Sequence, residues 1–289
     1  MARTPRSMLL AATLVVAASA PAAAQSWRTI SSARQLHGES DLAVHLQYGA
    51  GRFRLTPGAR GELYRMEMRY DEDRFAPVRE FDVNARALRL GLRTREGSGL
   101  KVSMGDRRSG NVPSFDVSLS PEIPLSLNLE LGAVQAELEL GGLALRRVVY
   151  RTGASETNLR FSEPNPVACE ELLMEAGAAE FRAHDIGNAN CDRVVFRGGV
   201  GEVMLDFGGE WRRSVSADVN VGIGALSLLL PREVGVSVQL NRFLASFDAA
   251  GFEKRGNTYY SANHASARYR LTIVVNASIG GVEVAWTDR

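Results

Sequence analysis

The sequence predicts an all-β chain of stacked two-strand repeats, a β-solenoid-like architecture, and three observations carry that expectation. Glycine is in surplus, at 28 of 289 residues, close to 10% against a usual share of about 7%. Segments that open on a glycine and continue as a strand begin at Gly132, Gly153, Gly177, Gly199 and Gly222, with 21, 24, 22 and 23 residues between successive starts. A fixed period of this size is the mark of a repeat architecture. Cys169 and Cys191 each stand eight residues before one of these glycines, so both occupy the same place in adjacent units. The competing arrangement is an antiparallel sandwich with Gly-rich turns, which four nearly equal spacings disfavour.

In chain order, residues 1–24 read as a secretory signal peptide: Arg3 and Arg6, the apolar run Met8 to Ala18, then Ala20 to Ala24 as a small-residue cleavage site before Gln25. Cleavage is expected after Ala24, and no later apolar run approaches the roughly 20 residues a bilayer crossing needs. Residues 25–120 read as an N-terminal β module and 121–289 as a repeat β domain continuous with it. The whole chain carries a formal net charge of +1. Loss of the leader's two arginines brings it to about −1, which gives no bulk attraction for nucleic acid.

Within each repeat, two apolar positions follow the corner and two precede it. Ala136, Thr157, Phe181, Val203 and Leu226 stand four residues after the glycines; Leu138, Leu159, Ala183, Leu205 and Leu228 stand six after. Val148 and Tyr150, or Val194 and Phe196, illustrate the preceding strand. This alternation is that of a half-buried strand, so each unit reads as two short strands joined at a Gly-rich corner. Gly49 opens a related copy, and Ser278 stands in place of the glycine in the last one. A residue without a side chain there is expected to take a positive φ or form a bulge. Such a unit cannot bury its apolar face alone, so the units must stack. Stacked strands about 4.8 Å apart put the two cysteines within disulfide reach, and a Cys169–Cys191 bond is expected. Residues 27 to 41 are expected to cap one end of the stack, and the final strand, Gly281 to Trp286, to cap or extend the other.

On Tyr48 to Leu55 with Pro57-Gly58, Tyr70, Phe75 to Pro77 and Leu88 to Leu92, and further on Gly153 to Leu159, Pro164-Asn165, Gly177 to Ala179, Ile186 to Asn188, Leu230 to Val236 and Gly251-Phe252, the chain resembles the bacterial toast-rack family of envelope proteins. That family includes domains of cell-wall-stress and antibiotic-response proteins and shades into adhesin-like ones. The resemblance covers about residues 40 to 289 and implies the fold, with no catalytic signature to carry over. Many stress-response members place membrane helices ahead of the domain, whereas this chain has a cleavable leader.

No catalytic, cofactor or metal site is expected. The Gly-x-Gly motifs at 49, 199 and 222 lack the third glycine and following helix of a dinucleotide site. His37, His45, His184 and His264 show no ligand spacing, and His184-Asp185 reads as part of a turn. Asp71-Glu72-Asp73 lacks the rest of a calcium loop, and Asn276-Ala-Ser278 fits a glycosylation acceptor by pattern alone. One constellation stands out. Glu156, Glu180 and Glu202 each follow a corner glycine by three residues, so stacking places them in an outward acidic column. Arg160, Arg182 and Arg212 are the nearby cations expected to screen it; a cation site or a retaining glycosidase pair are the alternatives.

The expected function is that of a non-enzymatic exported cell-envelope protein, in the periplasm or on the outer surface of a bacterium, acting as a structural, adhesin-like or protein-interaction module. Its partner is expected to be another envelope protein or a cell-wall component, with self-assembly through the sheet ends. An envelope-stress sensing component is the alternative, and a carbohydrate-active β-helix enzyme centred on the glutamate column is a further one.

Overall fold

The computed structural model describes residues 26–95, 112–247 and 251–287; the leader, residues 1–24, lies outside them. The described residues form one sheet of 15 strands. Its centre is a run of long parallel strands: β2 (Leu42–Pro57), β7 (Leu125–Glu139), β8 (Leu145–Arg160), β9 (Cys169–His184), β10 (Cys191–Asp206), β11 (Val215–Pro231), β15 (Arg270–Thr287) and β12 (Gly235–Phe247), neighbours in that order. At the β2 end the sheet forks. The first half of β2 pairs β5 (Ala87–Thr94), which pairs β4 (Phe75–Asp82); its second half pairs β6 (Ser114–Leu119), followed by β3 (Glu62–Asp71) and β1 (Trp27–Gln35). At the other end, β12 pairs β14 (Thr258–Ser261), and β14 pairs β13 (Phe252–Arg255).

The two strands expected in each repeat are the two arms of one continuous bent strand, 16 residues long in β8, β9 and β10. Hydrogen bonding to the neighbouring strands on both sides carries the ladder through the bend, so the chain turns without ending the strand. The arms face each other across the core. Tyr150, on the first arm of β8, lies 5.9 Å from Phe181 on the second arm of β9, and Phe181 lies 5.0 Å from Phe196 on the first arm of β10. All the inward positions read from the alternation are buried.

The connections back to each next strand close a third side. Phe161, Phe207 and Trp211 fill it, and buried asparagines tie its turns together. Asn165 donates through Nδ2 to the carbonyls of Leu145 (2.8 Å) and Ala189 (2.9 Å) and accepts from the Leu145 amide (3.1 Å). Asn188 donates to the Phe161 carbonyl (2.8 Å) and accepts from the Glu210 amide (2.7 Å). These amides satisfy backbone groups that a loop buried in the stack would otherwise leave orphaned.

The ends of the stack differ from expectation on one side. Residues 27 to 35 do form an edge strand, β1. The C-terminal strand does not form the other: β15 lies between β11 and β12. Its segment Ser278-Ile279-Gly280 repeats Gly222-Ile223-Gly224 of β11 and docks beside it with Ile279 opposite Ile223. The far end is therefore β12 with the β13–β14 hairpin.

Corner, ladders and groove: the candidate functional surface

At the corner, Gly49, Gly132, Gly153, Gly177, Gly199 and Gly222 fall opposite one another, between pairs such as Leu131–Thr152 and Ala133–Ala154. Close approach, in place of the expected positive φ, demands the glycine at Gly132, Gly177, Gly199 and Gly222. A Cβ on Gly177 would stand 2.8 Å from the Gly153 carbonyl oxygen, and one on Gly222 would stand 2.5 Å from that of Gly199. The positive φ lies two residues further on, at 144° in Gly201 and 141° in Gly224.

Cys169 and Cys191 are opposite each other at the start of β9 and β10, with Cα atoms 4.1 Å apart and their sulfurs bonded. Both are buried.

Glu156 is opposite Glu180, and Glu180 opposite Glu202, on the outward side of the second arms. All three are exposed. Arg182 pairs with Glu180, whereas Arg212 pairs with Glu210 at 2.9 Å, and Arg160 makes no contact with the column that would screen it. Two shallow grooves, of 400 and 440 Å³, lie beside the column and include none of its glutamates. The stacked rings of Tyr150, Phe181 and Phe196 are on the other, buried side. A sugar chain would find neither walls nor an aromatic platform at these carboxylates.

The outward side of the first arms is more elaborately built, and it escaped the reading of the sequence. Val149, Leu173 and Val195 form a buried apolar row on the outside of the sheet. Charged rows run along both of its flanks. On one flank Arg147 donates to Glu171 (2.8 Å), and Arg193 reaches across to Asp218 (2.6 Å). On the other, Glu175 accepts from both Arg151 and Arg197, each at 2.6 Å. These two hydrogen bonds, from Arg197 and Arg151, hold the Glu175 carboxyl below the usual carboxylate range. The four arginines on these flanks keep their charged heads exposed, and aliphatic stems of that length can lie along apolar surface. The doublets Val148-Val149, Leu172-Leu173 and Val194-Val195 break the strict alternation and are the signal that was available. The second charged flank continues as an amide ladder: Asn276 donates to Asn220 (2.8 Å), and Asn241 donates to Asn276 (3.0 Å). The Asn276 amide is thus engaged in the stack.

Where the sheet forks, this face holds a groove of about 690 Å³, with His45 and Asn128 among its lining and Arg89, Arg147 and Arg151 around it. The Asn128 amide meets His45 Nδ1 at 3.0 Å, and His45 Nε2 is 4.0 Å from Glu130. The remaining histidines are apart: His37 Nδ1 meets the Gln35 carbonyl at 2.9 Å, His184 adjoins a turn whose Asp185 has φ 56°, and His264 stacks edge-on to Tyr260. In the Asp71 to Asp73 turn the Asp71 carboxylate accepts from the Asp73 amide, and Glu72 pairs with Arg28. Among the described residues no group of three or more His, Cys, Asp or Glu is arranged to hold a metal ion.

Residues 22–170 match the family described as the N-terminal domain of toast_rack. No curated protein sequence matches the chain. Among solved structures, the chain is similar to a candidate cell adhesion protein from Clostridium sporogenes, at 17% identity and a TM-score of 0.46, over 91% of this chain and 100% of that one. It is also similar to a candidate adhesin from Bacteroides fragilis, at 11% identity and 0.42, over 90% and 99%. A third, a candidate adhesin from Parabacteroides merdae, shares 10% identity at 0.36, over 89% and 96%.

Proposed function

The chain belongs to the toast-rack family, whose match spans a little over half of it, and from that premise we propose that it is a non-enzymatic exported envelope protein that works through its outer surface. On this reading residues 25–120 are an N-terminal module and 121–289 a repeat domain that extends it. The protein acts in the periplasm or on the outer face of a bacterium as a structural, adhesin-like or protein-interaction module, and its partner is an envelope protein or a cell-wall component.

The observation that carries the reading is the way side chains outside the core pair along the stack. The Arg151–Glu175–Arg197 ladder spans three strands, and the Asn220–Asn276–Asn241 ladder spans three more. Register turns such rows into long continuous surfaces, the form repeat proteins use to bind extended partners. A leader and a buried disulfide fit an oxidising, exported setting.

Envelope-stress sensing is the second reading, and it rests on family analogy. Capture of partners by the tagged protein, from envelope fractions of cells grown with and without a wall-active antibiotic, separates the two. A partner held equally in both supports the structural module; one held only under stress supports sensing. Recovery of the protein solely from the cytoplasm would overturn both. For the glutamate column, unchanged behaviour of Glu180→Gln on every polysaccharide tested is the expected result, and loss of a hydrolytic activity would restore the enzymatic reading.

A further inference from the structure

Among the described residues four large apolar side chains are strongly exposed: Val83, Val200, Ile223 and Ile279, at 63%, 54%, 50% and 47%. Three of the four share one row at the corner, Val200 opposite Ile223 and Ile223 opposite Ile279. On the near side the row continues through Ala178, Ala154, Ala133 and Ala50. On the far side the next position belongs to Leu244. All eight residues are aliphatic, and small residues, mostly glycine, stand on both sides of them in β8, β9, β10, β11 and β15. The exposed side chains of the row point away from the core, and threonine would suit an outward strand position equally well. Ala50, Ala154, Ala178, Val200, Ile223 and Ile279 are exposed, and an exposed apolar row of this kind marks a contact surface.

The row is also graded. Four alanines fill the half toward β2, and valine, isoleucine, isoleucine and leucine fill the half toward β12.

We propose that this corner joins two copies of the chain in a two-fold dimer, with the rows antiparallel, so that the large half of each lies along the alanine half of the other. A two-fold contact must be complementary to itself, and a row graded from small to large meets that condition only when reversed. Running parallel, the isoleucines would hold the corners apart and leave the alanines without contact. The glutamate column lies two rows away on arms that slope from the corner, so its charges stay outside the contact. Eight strands at about 4.8 Å make a row about 34 Å long. With a width of about 10 Å it covers roughly 340 Å² per copy, well short of the about 800 Å² of a stable interface. The dimer is therefore weak and fills only at high concentration. The proposal gives a form to self-association within the reading of the stack as an interaction surface, but it does not depend on export.

Sedimentation velocity on the purified protein over a wide concentration range tests it. A monomer–dimer equilibrium ending at the dimer is expected. Ile223→Asp should abolish it, with the circular dichroism spectrum and thermal midpoint unchanged, while Val83→Asp should leave it intact. Single cysteines refine the geometry: Ala178→Cys and Val200→Cys lie next to the two-fold axis and each should cross-link to itself. Ala154→Cys and Ile223→Cys should cross-link to each other and not to themselves. A monomer at every concentration, an open-ended series of oligomers, or self-linking of Ala154→Cys overturns the proposal. So does a monomer that sediments with phosphatidylglycerol vesicles and loses them on Ile223→Asp, an outcome that gives the row to a lipid surface. Failure here leaves the envelope reading standing, because that reading is decided by fractionation and partner capture.

Discussion

Gly201 and Gly49 belong to the same corner under different constraints. A Cβ on Gly201 would overlap the Ala179 carbonyl oxygen, and its φ of 144° is one that side chains rarely adopt; a Cβ on Gly49 would meet nothing within 4 Å, and no positive φ is needed there. Gly201→Ala should therefore cost about 1 to 3 kcal/mol, and Gly49→Ala should be close to neutral in a denaturant titration. Equal costs would mean the corner is held by something other than close approach. His184 is a residue sensitive to mild acid. Burial, with Arg160 adding to it, pushes its pKa below the ordinary value of 6.5. The folded state then binds fewer protons at this site than the unfolded state. Its contribution is intact above pH 6.5 and is lost as the pH falls through that value. Thermal midpoints of the protein and of His184→Gln should converge between pH 7 and pH 5; a constant gap would contradict the assignment.

The single strand with its two arms is the element in which this sequence is most and least legible. Inward positions were readable because two periods agree: apolar residues alternate every two along the arm, and Ala136, Thr157, Phe181, Val203 and Leu226 recur at each unit. The disulfide was readable because the same period carries both cysteines. Removing it with Cys169→Ala and Cys191→Ala together should cost roughly 3 kcal/mol in the chain-entropy account, measured as the shift in denaturant midpoint. The outward row Val149–Leu173–Val195 was not readable, because an apolar residue on the wrong face looks like a break in alternation until the strands are stacked and its equivalents line up beside it. The acidic column was readable as a row, but its partners were not: a salt bridge depends on side-chain reach, and Arg182 alone of the three expected arginines reaches it. The Arg151–Glu175–Arg197 ladder yields a pH prediction of opposite chemistry and the same sign. The lowered Glu175 pKa adds stability above the ordinary carboxylate range, and that contribution disappears as the pH falls through the range. Because the group still faces solvent, Glu175→Gln should cost at most about 1 kcal/mol at pH 7 and nearly nothing at pH 3.

At the scale of the whole molecule, register decides both fold and surface. Strand order beyond β11 was hidden because β12 puts Phe243 at the corner, between Arg242 and Leu244, and so carries no glycine signal there. The chain places β12 first, adds the β13–β14 hairpin, and returns with β15 between β11 and β12, an order that no local period specifies. Everything outward, from the arginine ladders to the graded aliphatic corner, exists only if equivalent residues of successive strands lie side by side. Cysteine pairs in the acidic column test this most directly. Glu156→Cys with Glu180→Cys, and Glu180→Cys with Glu202→Cys, should each oxidise to an internal disulfide, read by mass on unreduced protein. Glu156→Cys with Glu202→Cys, two strands and roughly 10 Å apart, should not. Bonding in the last pair, or in neither of the first two, would contradict the in-register stack.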